Sequence, residues 1–324
     1  MACVPPFRGI LPAMQVPFRD DLSVDEGELR RLSRWLAGHE GIGGLVTNGH
    51  TGEVFALNCS ERAEVTRIVS EEVGDVVPVV SGICCESIRE SVEHAERARA
   101  AGASGLLVMP PHYWLRFGMR AEHVIDHFAA LSEAVGLNLI VHVYPAWTKA
   151  RYSSRLLAAL AQIPNVTTFK VGTREMSKYE RDIRAIRRAN PDCTVLTCHD
   201  EYVLASMVQG VDGALVGFAS FIPELLVKLY AAVCSGDLHS ARRVQERINL
   251  LKAVVYAEEE PSGDAHARMK AAMVMAGRLR SATTRPPTRP PSAERLEAIG
   301  RAVQEAGLVS KPAPSAIFAT ALAS

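Results

Sequence analysis

The stretch Val166-Thr167-Thr168-Phe169-Lys170-Val171-Gly172 decides how this 324-residue chain folds. It is short, rich in β-branched and aromatic residues, and ends at a glycine, so it reads as a strand. Segments with the helical spacing of apolar residues flank it at 153–162 and 178–189. A strand bracketed by helices belongs to a βαβ unit and so to a parallel sheet. Working outward, the same kind of run recurs at 10–16, 44–47, 77–81, 105–109, 137–144, 194–197 and 213–217. The starts of these runs advance by about 29 residues, close to one strand, one helix and their loops.

The intervening segments carry helical signals. Residues 25–39 set Leu29, Leu32, Trp35 and Leu36 on one face. Ser60 is expected to cap the next helix, with Glu61 and Glu64 in its first turn and Glu64 completing a capping box. Helices are also expected over 120–135, 201–209 and 223–235, the last with Pro223 in its first turn. Eight strands alternating with eight helices over 1–225 predict a (β/α)8 TIM barrel. An open doubly wound sheet is the rival, and no Gly-x-Gly-x-x-Gly follows the first strand to support it. Helical stretches at 237–256, 264–279 and 292–306, with a Pro-rich connector at 285–291, make 226–310 a helical extension packed on the barrel. Residues 311–324, rich in Ala, Ser and Pro, read as a disordered tail.

Composition narrows the function. Thirty-six basic residues balance 36 acidic ones, which argues against a nucleic-acid partner. No apolar run approaches the roughly 18 residues that span a bilayer, and the first residues lack a charged segment leading into an apolar core. Seven scattered cysteines, Cys84 and Cys85 adjacent, suit reduced thiols in the cytoplasm. The expectation is a cytoplasmic protein with neither membrane nor nucleic acid as partner.

Chemistry in a barrel gathers at the C-terminal ends of strands and the loops beyond them. Lys170 lies inside a strand, where a buried ammonium is costly, and a desolvated lysine there is an amine nucleophile for a ketone. Tyr144 ends the fifth strand and sets a phenol over the barrel mouth as a general acid and base. Asn48-Gly49-His50-Thr51-Gly52-Glu53, with a hydroxyl between two glycines, reads as a plain tight turn or as one whose N–H groups can converge on a carboxylate. His112 and Tyr113 follow strand four, and His199 and Asp200 follow strand seven. His123 and His127 have metal-like i, i+4 spacing, but they stand on an outer helix without the glutamate of a His-Glu-x-x-His motif. No Cys-x-x-Cys pair is present, so structural zinc is not expected, and covalent chemistry at Lys170 calls for no metal and no other cofactor.

Taken together, these residues resemble the dihydrodipicolinate synthase and N-acetylneuraminate lyase superfamily of class I, Schiff-base aldolases. The carriers are Gly49-His50-Thr51-Gly52-Glu53 with Leu57 and Glu61, then Pro110-Pro111-His112-Tyr113, Tyr144, Lys170 and Gly213-Ala214-Leu215-Val216-Gly217. The resemblance implies a lyase acting on pyruvate or another 2-oxo acid through an imine at Lys170, with Tyr144 shuttling protons. It implies that Thr51, His50, Gly52, His112, Lys149, His199 and Leu215 contact substrate. It further implies an aromatic relay contributed across a subunit interface, at Tyr113 or His112, and a homotetramer built as a dimer of dimers.

This chain departs from the family pattern at instructive places. His50 stands where a hydroxyl residue relays protons, Pro145 follows Tyr144, and Lys149 replaces an arginine that binds a second substrate's carboxylate. Lysine keeps the charge and loses the bidentate fork. Carbon–carbon cleavage or dehydration of a 2-keto-3-deoxy sugar acid is therefore favoured over the synthase reaction of pyruvate with aspartate semialdehyde, which stays as the alternative beside a non-catalytic barrel with a binding role.

Overall fold

The structure, a computed structural model, describes residues 7–143, 149–200, 202–256 and 263–309. Eight strands follow one another as β1 (Gly9–Pro12), β2 (Leu45–Thr47), β3 (Val79–Ile83), β4 (Gly105–Val108), β5 (Asn138–Val143), β6 (Val166–Val171), β7 (Thr194–Thr197) and β8 (Gly213–Val216). Each pairs in parallel with its neighbour from β2 round to β8, and β8 pairs with β1. The cylinder closes between β1 and β2 through isolated bridges, Ile10 with Ile42 and Ala13 with Val46. This is the (β/α)8 barrel that the sequence pattern predicts.

The surrounding helices are α1 (Glu26–Ala37), α2 (Cys59–Val73), α3 (Ile88–Ala100), α4 (His112–Phe117), α5 (Ala121–Val135), α6 (Ser154–Leu160), α7 (Met176–Ala189), α8 (Val203–Met207), α9 (Phe218–Phe221) and α10 (Pro223–Cys234). Three more follow as α11 (Leu238–Val255), α12 (Asp264–Met275) and α13 (Ala293–Glu305). One expectation is corrected at α2. Its cap is Asn58, whose side chain accepts from the Glu61 N–H while the Glu61 carboxylate accepts from the Asn58 N–H. Ser60 lies inside the helix and donates to Asn58 Oδ1. The capping box needs its acid three residues after the cap, and Glu61, not Glu64, stands there.

Strands buried on both faces need apolar residues throughout. All six positions of β5 are buried, with Leu139, Val141 and Val143 facing the helices and Ile140 facing the lumen. Phe7, Leu11, Val46, Val80, Leu107, Ile140, Leu196 and Leu215 fill the lumen as one apolar plug. At its lower end the Thr168 hydroxyl accepts from the Phe7 N–H and meets Thr194 Oγ1 at 2.9 Å. Lys170 and His142 occupy the next inward positions on β6 and β5, above that plug.

The segments beyond α10 are tied to the mouth of the barrel. Lys270 of α12, fully buried, puts Nζ 2.5 Å from Glu53 Oε1 and donates to the Thr283 carbonyl. Arg285 forks onto both Glu61 oxygens and also donates to the carbonyls of Leu22 and Ala56.

Candidate active site

Lys170 enters the lumen because strand alternation sends Phe169 and Val171 outward to the helices. It is 9% exposed, in register with His142 on β5 and Leu196 on β7. Among the described residues no carboxylate pairs with it. The contrast with Lys270 is direct: both lysines are buried, and among the described residues Lys270 has an anionic partner while Lys170 has none.

Imidazoles surround this amine. The His50 ring lies 5.9 Å from that of His142 and 6.1 Å from that of His112, the latter pair stacked at 21°. Burial, reinforced by Lys170 and His112, depresses the His50 pKa to about 3. Burial, with Lys170, His50 and His199 nearby, holds His142 well below its ordinary value. Both rings are therefore neutral near pH 7, each offering one N–H donor and one bare nitrogen as a hydrogen-bond acceptor. Cys198 Sγ sits 3.6 Å from His142 Nε2.

The turn after β2 is fixed by hydrogen bonds to its neighbours. Asn48, in left-handed backbone conformation, reaches the Arg62 carbonyl and the Ser81 hydroxyl through Nδ2. Beyond it, Gly52 N–H donates to Gly49 and Glu53 N–H to His50, so residues 50–52 form one 3-10 turn. Thr51 Oγ1 faces Gly217, where a Cβ would meet it at 3.0 Å. Glycine at 217 keeps the mouth open at that point. Asp200 fixes the same corner by accepting from the N–H groups of Gly217 and Phe218 at 3.2 and 2.8 Å and from the Tyr256 hydroxyl at 2.5 Å.

The structure sorts the other expected residues. His112 turns inward to His50 and Cys84, whereas Tyr113 is 43% exposed and packs against Trp114. His199 is buried, with its ring edge-on to Tyr202. Leu215 lies within the apolar plug. Lys149 is exposed, with Nζ on the Arg116 carbonyl. His127 is buried against Trp114 and Phe128, on the outer helix α5. Tyr144, together with the rest of 144–148, lies outside the described residues. Sequence reasoning missed His142, and strand alternation from Ile140 was the signal that would have found it. It also missed Cys84 and the anchoring role of Asp200.

Residues 6–306 match the model of the dihydrodipicolinate synthetase family. The chain belongs to this family. A 4-hydroxy-tetrahydrodipicolinate synthase of Rhodopseudomonas palustris is 32% identical over 96% of this chain and 100% of its own length. An uncharacterized DapA-like lyase of Thermofilum pendens is 29% identical over 93% and 98% of the two chains. Among solved structures, the family member YagE of E. coli K12, in complex with pyruvate, superposes with a TM-score of 0.84 at 27% identity, covering 94% of this chain and 99% of that one. The Thermotoga maritima dihydrodipicolinate synthase gives 0.85 at 26% identity, over 94% and 99%. Dihydrodipicolinate synthetase family members are lyases, and this chain is a lyase of that family. Among the described residues no helix is long and apolar enough to cross a membrane.

Proposed function

We propose that the chain is a Schiff-base lyase for pyruvate or a longer 2-oxo acid, with Lys170 as the amine. The observation that carries this reading is a buried lysine without a carboxylate partner among the described residues, standing above an apolar plug and in register with His142. The free amine adds to the C2 ketone, and the carbinolamine loses water to leave the imine. The imine accepts the electron pair released when a proton leaves C3 or when the C3–C4 bond breaks. The resulting enamine then takes up a proton or expels a C4 hydroxide as water. Tyr144 is the phenol we assign to the first proton transfers. The Thr51 hydroxyl, with the N–H groups of His50 and Thr51, would hold the 2-oxo acid's carboxylate, with Gly217 leaving room beside the hydroxyl.

His50 and His142 favour a substrate whose distal end carries hydroxyls over one carrying a second carboxylate. Imidazoles that stay neutral can donate to or accept from hydroxyls, whereas they offer no fixed cation. Lys149, the position allotted to a second carboxylate, is on the Arg116 carbonyl. We therefore place cleavage or dehydration of 2-keto-3-deoxy sugar acids ahead of the synthase activity for which several relatives are named.

Borohydride reduction in the presence of pyruvate, followed by intact mass and peptide mapping, tests the class. The expected result is one adduct on Lys170, lost in Lys170→Ala. Absence of an adduct with any 2-oxo acid would overturn the reading. Product analysis with sugar-acid substrates and with aspartate semialdehyde then separates the two reactions.

A further inference from the structure

Three donors suited to a soft metal follow three consecutive strands on one side of the mouth. His50 begins the turn after β2, Cys84 comes directly after β3, and His112 begins α4 after β4. One ligand atom from each, two imidazole nitrogens and a thiol sulfur, lies within 4.8 Å of the other two. Cys84 Sγ faces His112 Nε2 at 3.9 Å. A tetrahedral zinc ion, with bonds of about 2.0–2.1 Å to nitrogen and about 2.3 Å to sulfur, sets its donors roughly 3.3–3.8 Å apart. Closing the cluster onto an ion therefore takes movements of about an ångström, within the reach of side-chain rotation.

A second observation points the same way. Glu86 places Oε1 3.3 Å from His112 Nδ1 and accepts from the backbone N–H groups of His112 and Tyr113, both at 3.0 Å. A carboxylate there accepts a hydrogen bond from the Nδ1–H and leaves the Nε2 lone pair turned toward Cys84. That is the carboxylate–histidine arrangement that orients imidazole ligands in metal sites. Cys84 is held in place by packing with Val54 and Met109, while His112 remains open to solvent as an entry path.

We propose that His50, Cys84 and His112 form a binding site for a borderline-soft divalent cation of the zinc class, its fourth position taken by water. Two imidazoles and a thiolate select against magnesium and calcium, which require oxygen ligands. On binding, the Cys84 S–H bond breaks, sulfur keeps the electron pair as a thiolate ligand, and the proton passes to solvent. The site requires neither Lys170 nor a 2-oxo acid, so its failure and that of the imine reading are distinguishable.

The test is titration of the purified full chain with cobalt(II), without 2-oxo acid and with a non-thiol reductant. The expected result is a one-equivalent endpoint with a sulfur-to-cobalt charge-transfer band in the near ultraviolet and the intense visible bands of tetrahedral cobalt, all removed by zinc. Cys84→Ala should abolish the charge-transfer band. His112→Ala, at a solvent-exposed ring that leaves the core intact, should weaken cobalt binding about tenfold or more, the scale for loss of a ligand or its support, and serves in place of Cys84→Ala should that variant not fold. Lys170→Ala should retain the bands. So should Cys85→Ala, which removes the thiol of the neighbouring Cys85, Glu90 and His94 group. A saturating titration without a charge-transfer band, a band that survives Cys84→Ala, or undiminished binding by His112→Ala would overturn the proposal.

Discussion

Replacing Lys270 by Met isolates the contact that anchors the β2 turn. Lys270 and Glu53 are both fully buried, with 2.5 Å between Nζ and Oε1. Nζ also donates to the Thr283 carbonyl at 2.9 Å and lies 4.3 Å from the centre of the Phe18 ring. Methionine keeps the volume and removes the cation, leaving the Glu53 carboxylate in an apolar site. Breaking a buried pair from one side costs about 3–5 kcal/mol. The lower end applies here, because the Arg285 N–H remains on Glu53 Oε2 at 3.3 Å and its guanidinium stays nearby on Glu61. For a chain of this length about 1.5 °C of melting temperature corresponds to 1 kcal/mol, so the expected drop is about 4–5 °C. Urea denaturation and calorimetry would read it. The double variant Glu53→Gln with Lys270→Met, with no charge left to strand, should recover most of the loss. A single-variant loss below about 1 kcal/mol, or a double variant no more stable than the single, would refute the reasoning.

Other perturbations reach different parts of the molecule. His127 is buried against Trp114 and Phe128, and burial lowers its pKa to about 4. Between about pH 6.5 and 4 the unfolded chain therefore holds a proton there that the folded chain lacks, so stability falls as pH drops through this window. This residue's share of the loss is about 3 kcal/mol, and His127→Leu should flatten the stability–pH curve accordingly. Gly217→Ala puts a methyl 3.0 Å from Thr51 Oγ1 and 3.3 Å from Asp200 Oδ2. It should lower kcat/KM for the 2-oxo acid about tenfold, equivalent to about 1.4 kcal/mol, with little change in melting temperature. Tyr256→Phe removes the hydroxyl donated to Asp200 at 2.5 Å and should cost about 1.5–3 kcal/mol in urea denaturation, the range for a hydrogen bond to a charged group.

The strands were legible because burial on both faces leaves a plain mark, a short run of Val, Ile, Leu and Thr. Val166–Val171 and Thr194–Thr197 fall where the pattern places them. The first strand is shorter than its apolar run, because the chain leaves the ladder after Pro12 while its side chains remain buried. The cap of α2 went to Asn58 over Ser60 because two reciprocal hydrogen bonds settle a helix start more firmly than a residue preference does. Lys170 stood out because a lysine is out of place inside an apolar strand, whereas Thr51 was singled out through the family resemblance. His142 was marked only by its alternation with Ile140, and Cys84 looks like an ordinary loop residue until the register sets it beside His112. The Glu53–Lys270 pair was invisible for the same reason: its halves lie at opposite ends of the chain, and neither carries a local sign of the other.

The weakest join in the cylinder lies between β1 and β2, where isolated bridges replace a continuous ladder. Arg285 holds the Leu22 carbonyl on one side of that join and the Ala56 carbonyl and Glu61 on the other, and Lys270 grips Glu53 beside them. During synthesis the residues that clasp the first two strands together are made more than two hundred residues after those strands. At about 5–20 residues per second, the nascent chain must wait on the order of ten seconds or more between the two events. A chain ending before Arg285 would keep the eight described strands and the bridges between the first and the second, but not the side-chain clasp that reinforces them.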